Sequence, residues 1–397
     1  MRARKKVAGK TEADTADKKN KAAQAAVEQA IDYIQNHYEQ PLTREDLARL
    51  VGLSAKYMGS IFKKVTGTSI SAYITEVRVR KAKEQMVSSK LKVNEIAKQV
   101  GYEDEFYFSR MFKQNVGQAP LIFIQKPKRI ASLWYDYTFD LLQLGIVPEL
   151  YMTDVWGQVD RYTRQLGLRN KSQYKWHESE KLDQLLYHTD VDILLVPDNK
   201  RENADHWRKR HAVVELPWVW MNWRERFLLV AEMLHKKRNA EEWLKRYDAQ
   251  IDWLQRRIGS WITPKETVTI VNVRSDKLYI YGDDRMGGDI LYNSLGLKPS
   301  RAVLEEVILG GQWPLIAPDE IVRYDADHLF ITVDRQDRQA MERLRQLLQT
   351  PVWQGTPAMK NKRFYVLDHG RWYGYTPFCL SQQLHDIQQL WERHGAK

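Results

Sequence analysis

Two stretches decide the fold: LTREDLARLVGLSAKYMGSIFKKVTG, residues 42–67, and LKVNEIAKQVGYEDEFYFSRMFKQNVG, residues 91–117. Each reads as a short helix, a glycine turn and a second helix. In the first copy Thr43 is an N-cap and Asp46, three positions on, its capping-box partner. Leu47, Ala48 and Val51 line one face of the short helix, and Gly52 permits the turn. Ser54 caps a second helix running to about Val65, with Tyr57, Met58, Ile61 and Phe62 expected inward. The other copy repeats this. Ile96-Ala97 matches Leu47-Ala48 and Gly101 matches Gly52, both at an offset of 49. Phe112-Lys113 matches Phe62-Lys63 and Gly117 matches Gly67, both at an offset of 50.

Working outward, SAYITEVRVRKAKEQM (71–86) is a linking helix with Tyr73, Ile74, Val77, Ala82 and Met86 facing in. Upstream, Val27, Ala30, Ile31, Ile34 and Tyr38 follow helical spacing. Residues 1–20 are polar and of mixed charge, and read as a disordered basic tail. Charge marks the same region. Residues 1–128 hold 24 Lys and Arg against 14 Asp and Glu, whereas the remaining 269 hold 38 against 37. Nearly all of the net +11 therefore sits in the first third, which points to a polyanion partner for that part. All 14 tryptophans lie from Trp134 onward, so the junction is placed at Pro127.

Residues 23–124 resemble the DNA-binding domain of AraC-type transcription regulators. The sharper signature is IAKQVGYEDEFYFSRMFKQNVGQAP in the second copy; the apolar run Leu121-Ile122-Phe123-Ile124 departs from the polar end expected of the family. The resemblance implies one recognition helix per copy, each in one of two successive major grooves of double-stranded DNA. Helix geometry leaves Lys56, Gly59, Ser60 and Lys63 on the exposed face of the first. On the second it leaves Glu105, Phe106, Ser109, Arg110 and Lys113. Arg110 suits guanine edges and Glu105 cytosine. The lysines suit phosphates, which position without specifying.

From residue 129 short apolar runs alternate with helical patterns: Ile130–Leu133, VDILLVP (191–197), Val213–Leu216, VTIVNV (268–273), DHLFITV (327–333) and Phe364–Leu367. Residues 224–257 contain neither Pro nor Gly and read as one helix of about 50 Å. Two α/β halves flank it. The layout resembles the substrate-binding proteins of iron–siderophore and vitamin B12 importers. The combination resembles AraC-type regulators fused to a siderophore-binding domain, of which the bacillibactin-sensing regulators are an example. The expected fold is thus multidomain: an all-α double helix-turn-helix domain over 21–126, then a two-lobed α/β periplasmic-binding-protein-like sensor over 128–397 with a long interlobe helix.

In α/β lobes the strand C-terminal ends line the crevice. That rule selects Trp134, Tyr135, Trp156, Lys200 and Trp220 in the first lobe. In the second it selects Arg274, Tyr281, Arg285, Trp313, Arg371, Trp372 and Tyr373. A ferric tris-catecholate is a flat-faced trianion. It calls for at least two cations, here sought among Arg274, Arg285 and Arg371, and for aromatic faces. The resemblance implies a ferric siderophore as effector, such as ferric bacillibactin, with no intrinsic cofactor; another ferric chelate, haem or a corrinoid stays open. RNA polymerase is the expected protein partner.

The single cysteine, Cys379, excludes a disulfide framework and Cys-cluster metal sites. No run reaches 18 apolar residues, and the first 25 lack an apolar core, so the expectation is a cytoplasmic protein without a membrane partner. GxSxG, the P-loop, GxGxxG and HExxH are all missing, so no enzyme is expected and no protein metal site. A solute-binding transport component is the competing class; it would leave the helix-turn-helix repeat without a use.

Overall fold

The computed structural model describes residues 21–168, 172–175, 178–217 and 221–395. The expected tail over 1–20 lies outside them. The chain forms two compact units. One takes in residues up to 130 together with 191–216; the other takes in 131–190 and 217–397.

In the first unit, α1 spans residues 21–37. It is followed by α2 (Arg44–Leu50), α3 (Ala55–Thr66), α4 (Ile70–Ser88), α5 (Val93–Gln99), α6 (Glu105–Val116) and α7 (Pro120–Gln125). Thr43 and Asp46 form the expected capping box at α2, and the side chains of Ser54 and Asp104 cap α3 and α6. Val27, Ala30 and Ile34 of α1 meet Leu47, Met58, Ile61 and Phe62 in one core. α4 joins the two copies. Its Arg78 donates from Nε to Tyr38 O (2.7 Å) and from Nη2 to Gln40 O (2.9 Å), and lies 5.1 Å from the Tyr102 ring. Gly101 sits at this crossing with φ +88°, and a Cβ there would stand 2.6 Å from Glu39 O. Only glycine meets both conditions.

Residues 191–216 hold β4 (Ile193–Pro197), α11 (Arg201–Arg208) and β5 (Val213–Leu216), with β4 parallel to β5. Sequence placed this segment in the sensor; by its contacts it also belongs with the helices. The reason is specific. Edge strands leave outward N–H groups unpaired, and Val213 N–H donates to Glu84 Oε1 of α4 at 2.9 Å. Glu84 also holds Lys81 at 2.9 Å, and Lys209 reaches Asp32 at 3.2 Å. The junction after α7 is tied down as well. Lys128 Nζ donates to Ile124 O, and Arg129 pairs with Asp192 at 2.9 Å.

The second unit carries β1 (Ile130–Ser132), α8 (Tyr135–Gln143), β2 (Leu150–Thr153), α9 (Gln158–Gln165), β3 (Ser172–Lys175) and α10 (Ser179–His188). β2 lies parallel to both β1 and β3. Next come α12 (Trp223–Met233) and α13 (Lys237–Ile258). The expected 34-residue helix is thus two helices. His235 adopts φ +56°, and Lys236 N–H returns to Ala231 O while His235 N–H returns to Glu232 O. This is a Schellman stop made without glycine, so composition did not reveal it.

The rest comprises β6 (Thr267–Val273), β7 (Leu278–Tyr281), β8 (Lys298–Pro299), β9 (Leu315–Ile316), β10 (His328–Val333), α14 (Arg338–Gln349), α15 (Pro351–Gln354), α16 (Pro357–Lys360), β11 (Phe364–Asp368), α17 (His369–Tyr373) and α18 (Pro377–His394). Residues Asp289–Ser294, expected within an ordinary helix, are π-helical. The sheet runs β11-β10-β6-β7-β9, with β8 beside β6. β6, β10 and β11 are parallel, and their ends share a register: Val273, Val333 and Asp368 stand side by side. The residues that follow them, Arg274, Asp334 and His369, therefore emerge along one edge. Trp223, Trp353 and Trp372 fill the core, each with its indole N–H bonded, to Asp289, Pro318 O and Asp386 respectively.

Candidate DNA interface and ligand site

The exposed faces of α3 and α6 are the candidate DNA interface. On α3, Lys56, Ser60 and Lys63 are exposed; on α6, Glu105, Phe106, Arg110 and Lys113 are exposed, and Ser109 is half-buried. Gly59 is half-buried on the same helix. A Cβ on it would meet Arg44 Cδ of α2 at 3.1 Å. Tyr57 and Tyr107 were expected inward, yet are 42% and 46% exposed. The buried stripe is narrower than helical spacing suggested: Met58, Ile61 and Phe62 in α3, Phe108 and Phe112 in α6. Both tyrosines join the outward face, and the Arg110 guanidinium lies 5.4 Å from the Tyr107 ring. Their matching positions in two copies were the signal available.

In the second unit an aromatic cluster gathers most of the residues selected for the crevice. Trp134 stacks on Tyr135, centroids 5.0 Å apart. Tyr135 neighbours Tyr373. Trp156 lies 4.2 Å from Tyr373 and 5.1 Å from His369. Tyr281 faces Trp313 at 5.5 Å. Two arginines lie over these rings. Arg285 is 5.3 Å from Trp313 and 5.9 Å from Tyr373; Arg274 is 4.9 Å from Tyr279.

The backbone holds these side chains in place. Asp154 accepts from Gln158 N–H at 2.7 Å, capping α9 just after the turn that carries Trp156. Gly287, at φ +83°, has the Trp372 ring where a Cβ would stand, which fixes the loop bearing Arg285. Arg226 Nε donates to Asp140 at 2.8 Å and its Nη2 to Tyr375 O, clamping the helix that carries Tyr135. Both partners are buried, so losing either would strand a charge.

Electrostatics follow from burial. Burial and the neighbouring Arg274 push His369 down to about 4, so it is neutral at pH 7. Asn272 explains its tautomer. The Asn272 amide donates to Thr332 O and lies 2.8 Å from His369 Nδ1, while its oxygen accepts from Arg274 Nε. His369 therefore accepts at Nδ1 and carries its proton on Nε2. Burial raises Asp136, against the pull of Arg226 and Arg285, and raises Tyr135 strongly. Despite its own burial Arg285 is raised, with Tyr373, Asp136 and Tyr135 as its neighbours, and stays charged at pH 7. A cavity of about 200 Å³ adjoins the cluster, lined among others by Trp156, Arg274, His369, Asp276, Asp334 and Asp337.

Two selected residues fall elsewhere. Arg371 donates to Gln382 and pairs with Asp386 at 2.9 Å, because α17 turns its side chain toward α18. Trp372, next along the helix, is wholly buried in the core. The Lys200 side chain and Trp220 lie outside the described residues. Sequence reasoning missed Asn272 and Tyr279. A lone Asn inside the apolar run VTIVNV was a usable sign; Tyr279 carried none.

Comparison with known proteins agrees with both halves. A helix-turn-helix domain model matches residues 47–126, and a periplasmic binding protein model matches 175–369. The HTH-type transcriptional activator Btr of Bacillus subtilis is 28% identical over 89% of this chain and 66% of its own length. The iron(3+)-hydroxamate-binding protein YxeB of the same organism is 24% identical over 50% of this chain and 62% of its own. The chain thus spans just under two thirds of each relative. FhuD2 from Staphylococcus aureus, solved with bound ferrioxamine B, shares the fold with a TM-score of 0.58 at 19% identity, over 68% of this chain and all of that one. These two relatives are a transcription activator and a binding protein, not enzymes. Among the described residues no helix is long and apolar enough to cross a membrane. The chain thus joins a region that matches a helix-turn-helix domain to one that matches, and shares the fold of, periplasmic binding proteins.

Proposed function

We propose that this protein is a cytoplasmic transcription activator that binds operator DNA through α3 and α6 and responds to an anionic ferric siderophore. The observation that carries the effector is the aromatic cluster with Arg274 and Arg285 lying over its rings. Catecholate faces stack on aromatics, and guanidinium groups pair with catecholate oxygens. The ligand brings its own iron. The finer reading is a ferric catecholate such as ferric bacillibactin.

A second reading is a neutral ferric hydroxamate. It is favoured by Asp276, Asp334 and Asp337, which line the cavity with Arg274, and by the engagement of Arg371 with Asp386. Titration of the full chain, followed by tryptophan fluorescence, separates the two. Under the first reading Arg274→Ala and Arg285→Ala each weaken a ferric catecholate by about 1.5–3 kcal/mol and leave a neutral hydroxamate nearly unchanged. Tight hydroxamate binding indifferent to either substitution would select the second reading. Binding of haem or a corrinoid alone would reject both. RNA polymerase recruitment on ligand binding, read by transcription in vitro, tests the activator assignment.

A ligand regulates only through a difference in affinity between two states of the protein. The contacts of Glu84 with Val213 N–H and Lys81 tie α4 to β5, and are the route we assign to that difference.

A further inference from the structure

The largest exposed aromatic surface on the DNA-binding unit is one residue. Phe106 is 86% exposed, in the N-terminal turn of α6. Folding does not use it: the α6 core residues are Phe108 and Phe112. Its position is not isolated. Residues four apart on a helix share a face, so Phe106, Arg110 and Lys113 form one outward stripe, all exposed. The matching stripe on α3 is Lys56, Ser60 and Lys63. Along the helix from Phe106 the stripe is cationic, while the acids Glu103, Asp104 and Glu105 lie on its N-terminal side, where Asp104 caps the helix.

We infer that Phe106 reads the 5-methyl group of a thymine in the major groove, beside the base contacted by Arg110. The inference rests on the DNA-binding role proposed above and adds a specificity element to it. The occupant follows from chemistry. A phosphate would not satisfy an apolar ring, and the flanking Arg110 and Lys113 draw a polyanion. Among the groups that a major groove presents to a recognition helix, the thymine methyl is the apolar one. Burying one methyl between ring and base contributes about fourfold in affinity. At the position matching Phe106, α3 carries Lys56, so the methyl-reading position belongs to one half-site alone.

The test begins with the full chain selecting its site from a pool of random-sequence duplexes. Each thymine of the selected site is then replaced singly by deoxyuridine, which removes only the methyl. We expect one or two replacements, next to a guanine, to weaken binding by about fourfold. In Phe106→Ala those replacements should make no difference, and thymine should no longer be preferred there. Thermal unfolding should be unchanged, since the side chain is exposed. Lys56→Ala should keep the deoxyuridine effect while weakening all sequences. A selected site with no deoxyuridine-sensitive position would overturn the inference and leave the DNA-binding role standing. So would sensitivity that persists in Phe106→Ala. Failure to select any sequence would overturn the DNA-binding role and this inference with it.

Discussion

The two helix-turn-helix copies use one scaffold for different chemistry. α3 and α6 are each twelve residues long, each capped by a side chain, and each ends at a left-handed glycine. Met58 and Phe62 are buried in one, Phe108 and Phe112 in the other, at identical positions. Outside, the stripes diverge: Lys56, Ser60 and Lys63 against Phe106, Arg110 and Lys113. Packing constrains the inward positions of both copies alike, because a core tolerates little change of volume. Nothing in the fold constrains the outward ones. Under the proposed DNA-binding role, the first copy would grip phosphates and the second discriminate bases.

The turn glycines should show the largest asymmetry. Gly52 has φ +68° with open space where a Cβ would stand, whereas a Cβ on Gly101 would press on Glu39 O and Arg78. Gly52→Ala should cost about 1–2 kcal/mol for the left-handed backbone. Gly101→Ala should cost about 1–3 kcal/mol more, from overpacking. Urea unfolding of the two variants gives the difference; equal midpoints would mean that the crossing relaxes freely.

Next in size is base discrimination. Arg110→Ala should lose about 1–3 kcal/mol of preference at one base pair, while Ser60→Ala should change preference little. Equal losses on selected and random duplexes would make Arg110 a phosphate contact, and the two copies would then be alike. Lys63→Ala and Lys113→Ala should instead behave as a matched pair. Each should weaken all sequences and flatten the dependence of log affinity on log salt by about 1. A change confined to one sequence would assign that lysine to a base. The smallest effect belongs to Glu105, in the first turn of α6 opposite Ala55 of the other copy. Glu105→Gln should remove about 0.3–1 kcal/mol of helix-dipole stabilisation, read by thermal unfolding. Unchanged stability with altered cytosine preference would give it a readout role.

Much of this was legible in the order of residues alone. The helix-turn-helix repeat, its caps and its core came from periodicities of three to four residues and from glycine spacing, all of them local. So did the strands Ile193–Pro197, Thr267–Val273 and His328–Val333, whose continuous apolar runs mark burial on both faces. The crevice residues were reached by a general rule for strand ends, and Trp134, Tyr135, Trp156, Arg274, Tyr281, Arg285, Trp313 and Tyr373 do come together in one unit. What defeated that rule was direction. Arg371 and Trp372 follow β11 as His369 does, but a one-turn helix rotates successive side chains by about 100° each. One therefore reaches Asp386 and the other enters the core.

The remaining decisions were tertiary, each for a stated reason. His235 ends a helix in a left-handed conformation that no glycine announced. Tyr57 and Tyr107 lie at the edge of the buried stripe that Met58 and Phe108 occupy, and stay partly exposed. Asn272 on β6 sets the tautomer of His369, which follows β11, 97 residues along the chain. Glu84 meets Val213 N–H over 129 residues. Local pattern specifies which elements form and which face of each is apolar. Which polar group satisfies which, and which arginine lies over the aromatic cluster, depends on partners distant in sequence, and only the folded chain brings them within hydrogen-bonding distance.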